Sequence, residues 1–150
     1  MQNKPITTLF MLMSVDGKIS TGNNDELDMD SDFPKIKGVK KGLFQYYEIE
    51  KTTDLHFLIT GKVMAKECKS LNVNNNKTVP KKLPANCIII DSTHLKKSGI
   101  EYLLKKFNSL IVVTSNFSHP ANKINSKNLE IINYENKINF SDLFNKLKNE

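Results

Sequence analysis

Three short runs of this chain are apolar along their whole length: Leu55–Thr60, Cys87–Asp91 and Leu110–Thr114. A strand with one wet face alternates apolar and polar residues. A continuous run of β-branched and bulky residues instead suits a strand covered on both faces. Turn formers bound each run, and helical patterns lie between them. That rhythm predicts an α/β fold with a mostly parallel sheet flanked by helices and right-handed crossovers. Two further runs extend it, Ile6–Met13 at the start and Leu129–Tyr134 near the end.

Four segments carry helical spacing. Phe33–Lys51 places Ile36, Val39 and Leu43 on one face, with Ser31 or Asp32 available as a cap. Gly38 and Gly42 lie one turn apart within it, a spacing suited to close packing on a sheet. Gly61–Glu67 is a short helix directly after a strand. Ser98–Phe107 groups Ile100, Leu103, Leu104 and Phe107. Ser141–Asn149 buries Leu143, Phe144 and Leu147, with Ser141 as its expected cap. The Asn-rich stretch Asn72–Lys82 reads as a surface loop rather than a linker, because the strand–helix rhythm resumes after it. No internal repeat is visible, so residues 1–150 are expected to form one domain.

The chain has 150 residues, enough for a real core, and 39% of them are hydrophobic. No apolar stretch reaches membrane-spanning length, and the N-terminal run lacks the features of a signal peptide. A cytoplasmic protein is the default expectation. Lys and Arg number 22 against 16 Asp and Glu, giving a formal charge of +6. The lysines are scattered with no aromatic–basic stripe, which argues against nucleic acid. Cys68 and Cys87 match no metal or redox spacing, and Cys87 reads as a small core residue. His56, His94 and His119 are far apart in sequence, so no metal site is expected.

Four strand ends could carry chemistry, the last being Thr114-Ser115-Asn116, which like the others is open to a ligand-binding or a plain-turn reading. Ile6–Met13 stops at Ser14-Val15-Asp16-Gly17, which leaves the Asp16 carboxylate at a strand mouth, where open α/β sheets bind ligands. A plain strand-closing turn is the other reading. Leu58-Ile59-Thr60-Gly61-Lys62 ends a strand in a Gly turn, where the backbone can approach a phosphate closely and Lys62 adds a positive charge. An ordinary strand-to-helix turn explains it equally well. Asp91-Ser92-Thr93-His94 offers groups for a ribose or its 2′-phosphate, or simply a capped turn. The acidic run Asp25 to Asp32 is a solvated loop whose Ser31-Asp32 end could reach a substrate. Neither a Gly-x-Gly-x-x-Gly fingerprint nor a Walker loop is present.

Taken together, Met13-Ser14-Val15-Asp16-Gly17-Lys18-Ile19, Ser31-Asp32-Phe33-Pro34 and Leu58-Ile59-Thr60-Gly61-Lys62-Val63-Met64 resemble the dihydrofolate-reductase-like superfamily. The closest likeness is to the reductase domain of bacterial riboflavin biosynthesis. The resemblance implies an NADPH-dependent oxidoreductase that transfers hydride to a phosphorylated ribosylamino pyrimidine or similar small molecule, acting as a homodimer. It implies that Met13, Thr60, Gly61, Lys62, Val63 and Ser92 bind the cofactor. Ser14, Ser31 and Asp32 would face the substrate, and Asp16 would be catalytic. Members of that family continue into a further strand and a Gly-Gly turn that cradles the pyrophosphate. Here no Gly follows Gly99, so the family domain is expected to be C-terminally incomplete, with an exposed sheet edge. A non-catalytic nucleotide-binding or self-associating form of the fold is the alternative.

Overall fold

The structure, a computed structural model, describes residues 5–9, 45, 48, 49, 52, 57–68 and 82–148. The chain divides into two compact units, one of Met1–Pro5 with His56–Glu150 and one of Ile6–Leu55. The first unit holds a four-stranded sheet. Its strands are β1 (Phe57–Thr60), β2 (Asn86–Ile90), β3 (Leu110–Thr114) and β4 (Leu129–Asn133), ordered β1-β2-β3-β4. Every neighbouring pair is parallel. The helices are α1 (Lys62–Cys68), α2 (Lys97–Lys106) and α3 (Phe140–Leu147), with a 3-10 turn at Pro120–Lys123. The expected α/β class and parallel sheet are therefore present.

The register explains the continuous apolar runs. Cys87 pairs with Leu110 and Ile89 with Val112, facing one side; Ile88 pairs with Ile111 and Ile90 with Val113, facing the other. Every residue of β3 is buried. On the second side, Ile88, Ile111, Val113 and Ile132 pack with Leu143 and Leu147 of α3. Leu143 and Leu147 stand one helical turn apart, as the sequence pattern requires. Phe144 is only partly buried and packs against the edge of that cluster. On the opposite side α1 packs against β2 and α2, and α2 packs against the 3-10 turn.

Two local details depart from expectation. The cap of α3 is Asn139, whose side chain accepts from the Asp142 N–H at 3.1 Å, not Ser141. Ser141 lies inside the helix, where its own N–H is already in the first turn, so it cannot cap. Within the second unit, Ile6–Leu9 are not in a strand, and Ile6 is 100% and Leu9 81% exposed. The first half of the expected buried strand Ile6–Met13 is thus neither a strand nor buried. Its second half lies outside the described residues, as do most of Phe33–Lys51 and all of Asn72–Lys82 except Lys82. Gln45, Glu48 and Ile49 of Phe33–Lys51 are helical.

Gly99 fixes how α2 meets α1. A Cβ built there would lie 2.6 Å from the Cys68 carbonyl oxygen and 3.1 Å from its carbon. Only a residue without a side chain lets the two helices approach so closely.

Candidate functional site

Parallel strands bring their carboxyl ends to one edge, so the turns after β1, β2 and β3 are neighbours. Thr60 is in register with Ile89, which sets the Thr60-Gly61-Lys62 turn beside the turn that begins at Asp91. Thr60 closes β1, Gly61 joins strand to helix, and Lys62 and Val63 occupy the first turn of α1. A Cβ on Gly61 would meet only the Ile90 carbonyl oxygen, at 3.9 Å. Gly61 therefore has free space at its Cα, and neither backbone strain nor crowding demands a glycine there.

The Asp91 turn is the most densely bonded part of this edge. Asp91 is buried, yet it is ionised. Burial alone would push its pKa up. The ring N–H of His119, the Leu95 N–H, and the ring and backbone N–H groups of His94 outweigh this and hold it well below the usual carboxylate range. Their distances to the carboxylate run from 2.8 Å for Leu95 to 3.3 Å for His119. The sequence set His94 and His119 apart; the fold joins both to one carboxylate.

The network assigns both imidazole tautomers. A carboxylate only accepts, so the His94 Nδ1 at 3.0 Å from Asp91 Oδ1 carries the proton, and the Thr93 hydroxyl oxygen at 2.8 Å accepts from the same N–H. Its Nε2 then holds a lone pair, and the side chain is 28% exposed. His119 has the opposite arrangement. Its Nδ1 accepts the Ala121 N–H at 3.2 Å, so its proton sits on Nε2 and is donated to Asp91 Oδ2. His119 is buried, and its side chain caps the 3-10 turn.

Ser92 ties this turn to β3. Its Oγ accepts from the Ser115 N–H at 3.0 Å and, at 3.4 Å, from the Thr114 hydroxyl. With both lone pairs engaged, its own proton goes to Ser115 Oγ at 3.0 Å. Asn116 donates to the Ser92 carbonyl from its side-chain amide. The Ser92 hydroxyl is therefore saturated within the protein, and a ligand phosphate would have to displace Ser115. The bonds made by Asp91 are those of a capped turn.

The connections leaving β3 and β4 diverge. The 3-10 turn after β3 lies against α2, whereas β4 leads to α3 on the opposite face. Asn133 closes β4 there and donates to Asn122 Oδ1 at 3.2 Å. Its own Oδ1 is buried without a hydrogen-bond partner among the described residues.

Of the expected site residues, Thr60, Gly61, Lys62, Val63 and Ser92 share the carboxyl edge of the sheet. Met13, Ser14, Asp16, Ser31 and Asp32 lie outside the described residues. Sequence reading missed His119, which has no local spacing to Asp91, and Asn133. Among the described residues, no group of three or more His, Cys, Asp or Glu side chains could hold a metal. None of the described helices is long and apolar enough to cross a membrane. Compared with protein-family models, curated proteins and solved structures, the chain matches none.

Proposed function

We propose that the chain is an NADPH-dependent reductase that binds its cofactor across the carboxyl ends of β1 and β2. One observation supports the reading above the rest: the register sets the open Gly61 turn beside the Asp91–Ser92 turn on a single edge. The space at Gly61 fits a pyrophosphate lying against the backbone, and Lys62 is exposed in the same turn. Ser92 would contact the cofactor by exchanging Ser115 for a phosphate or ribose oxygen. NADPH would supply the hydride; the protein would orient it against the acceptor. Ser14, Asp16, Ser31 and Asp32 take the substrate side in this reading, on the strength of the resemblance. The acceptor would be a phosphorylated ribosylamino pyrimidine or a related compound.

Titration with NADPH, followed by nicotinamide fluorescence, tests the cofactor. The chain is expected to bind; no binding at millimolar NADPH overturns the reading. Gly61→Ala sharpens the test, because the structure has room for that methyl group. The variant should fold normally yet lose about tenfold in affinity, or ~1.4 kcal/mol, through collision with the bound phosphate. Unchanged affinity in a folded Gly61→Ala removes Gly61 from the site. If NADPH binds but is not oxidised with any ribosylamino pyrimidine, the chain is a nucleotide-binding module instead.

A further inference from the structure

We propose that the Phe117 ring is a platform on which the adenine of the bound dinucleotide stacks, presented by the turn after β3. The inference rests on the cofactor placement proposed above and extends it by one strand. Phe117 is 61% exposed, whereas Thr114 and His119 on either side of it are buried. Its backbone is nevertheless fixed. Asn116 Oδ1 accepts the Ser118 N–H at 2.9 Å, a bond that spans Phe117. The Phe117 carbonyl accepts from the Asn122 side-chain amide at 3.0 Å, and the Asn116 carbonyl accepts the His119 N–H at 2.9 Å. None of these bonds uses the side chain at position 117, so the turn closes without an aromatic residue there.

A single exposed aromatic ring is ordinary on a protein surface. What sets Phe117 apart is the tether between its turn and Ser92. The Asn116 side-chain amide donates to the Ser92 carbonyl at 3.0 Å, and the Ser115 N–H donates to Ser92 Oγ at 3.0 Å. Phe117 lies two residues beyond Ser115, so their Cα atoms are at most about 7 Å apart. A ribose 2′ oxygen or its phosphate taken up at Ser92 carries its base on the adjoining ring carbon. That brings the base within reach of a phenylalanine side chain rooted at position 117.

The strand ends are then used in sheet order. The pyrophosphate lies at Gly61 after β1, the ribose at Ser92 after β2 and the base at Phe117 after β3. Phe117 offers a π face and no hydrogen-bonding group, so it recognises a base by its flat surface rather than by its edge. Because the turn is already rigid in the free protein, stacking costs little ordering of the backbone.

Binding of NADPH and of adenosine 2′,5′-bisphosphate to the full chain, measured by calorimetry, tests this. Phe117→Ala should melt with the wild type, since the ring is mostly exposed, yet bind both nucleotides roughly 5- to 100-fold more weakly, the loss of one base–aromatic stack. The chain contains no Trp, so Phe117→Trp supplies a single reporter, whose emission should be quenched by saturating adenosine 2′,5′-bisphosphate. Equal NADPH affinity in wild type and Phe117→Ala overturns the platform and leaves the reductase reading standing. Unchanged emission of Phe117→Trp at saturation overturns it as well, and this arm decides the matter should Phe117→Ala fail to fold. Phe117-dependent binding of the bisphosphate without NADPH oxidation supports the platform and removes the reductase reading. If the wild type binds neither nucleotide at millimolar concentration, both fall.

Discussion

Gly99→Ala puts helix propensity against packing at one site. Alanine in place of a helical glycine stabilises by about 1 kcal/mol when nothing opposes it. Here the added Cβ would sit 2.6 Å from the Cys68 carbonyl oxygen, 3.1 Å from its carbon and 3.1 Å from Leu95 Cδ1. Two of the three are backbone atoms at the end of α1, which cannot swing aside as a flexible side chain does. Relief requires the two helices to separate by several tenths of an ångström, although Ile100 and Leu103 on α2 are fully packed. Overpacking of this kind costs up to about 3 kcal/mol. Subtracting the propensity gain leaves a net loss of ~2 kcal/mol, which lowers Tm by roughly 8–16 °C in a unit of this size. Urea unfolding followed by circular dichroism measures it, with Gly61→Ala as the control whose Cβ meets only Ile90 O at 3.9 Å. A Gly99→Ala protein as stable as the wild type would refute the close helix contact.

Asp91 makes stability depend on pH. Its folded carboxyl titrates below its unfolded value, so the folded state binds fewer protons, and its contribution is complete above about pH 4 and fades at lower pH. Asp91→Asn should cost ~1.5–3 kcal/mol at neutral pH and flatten the acid limb of the urea midpoint; parallel acid limbs in wild type and variant would contradict this. Cys87 is fully buried, and burial together with neighbouring Cys68 pushes its thiol up to about 12. An aromatic disulfide reagent should therefore leave both thiols untouched in buffer and titrate two in denaturant, whereas rapid reaction of the folded protein would show the α1–β2 contact to be open.

β2 and β3 were legible because their burial is total or nearly so. Leu110-Ile111-Val112-Val113-Thr114 leaves no polar residue until its end, and the strand has those bounds. The cap of α3 was misread because Ser141 and Asn139 are both good caps, and the choice depends on where the chain turns off Tyr134. Tyr134 donates to Asp142 Oδ2 at 2.9 Å, and Lys146 bonds the same oxygen at 2.8 Å, which sets the helix start. The strand ends at Thr60 and Asp91 were readable as candidate turns, since each apolar run stops at polar residues. The coupling of Asp91 to His119 was not, because 28 residues separate them and only β2–β3 pairing brings them together. Ile6 to Leu9 has strand composition, yet it forms no strand, and Ile6 and Leu9 are exposed.

The chain-order sheet also bears on how the fold comes apart. Among the described strands, each pairs with those before and after it in sequence. A sheet of this kind is assembled from nearest-neighbour steps. β2 and β3 share a core with β4 and α3, whereas β1 bonds to β2 alone among the described strands. Fraying of β1 and α1 would strip Phe57 from that core and loosen the Gly61 turn before the Asp91 turn.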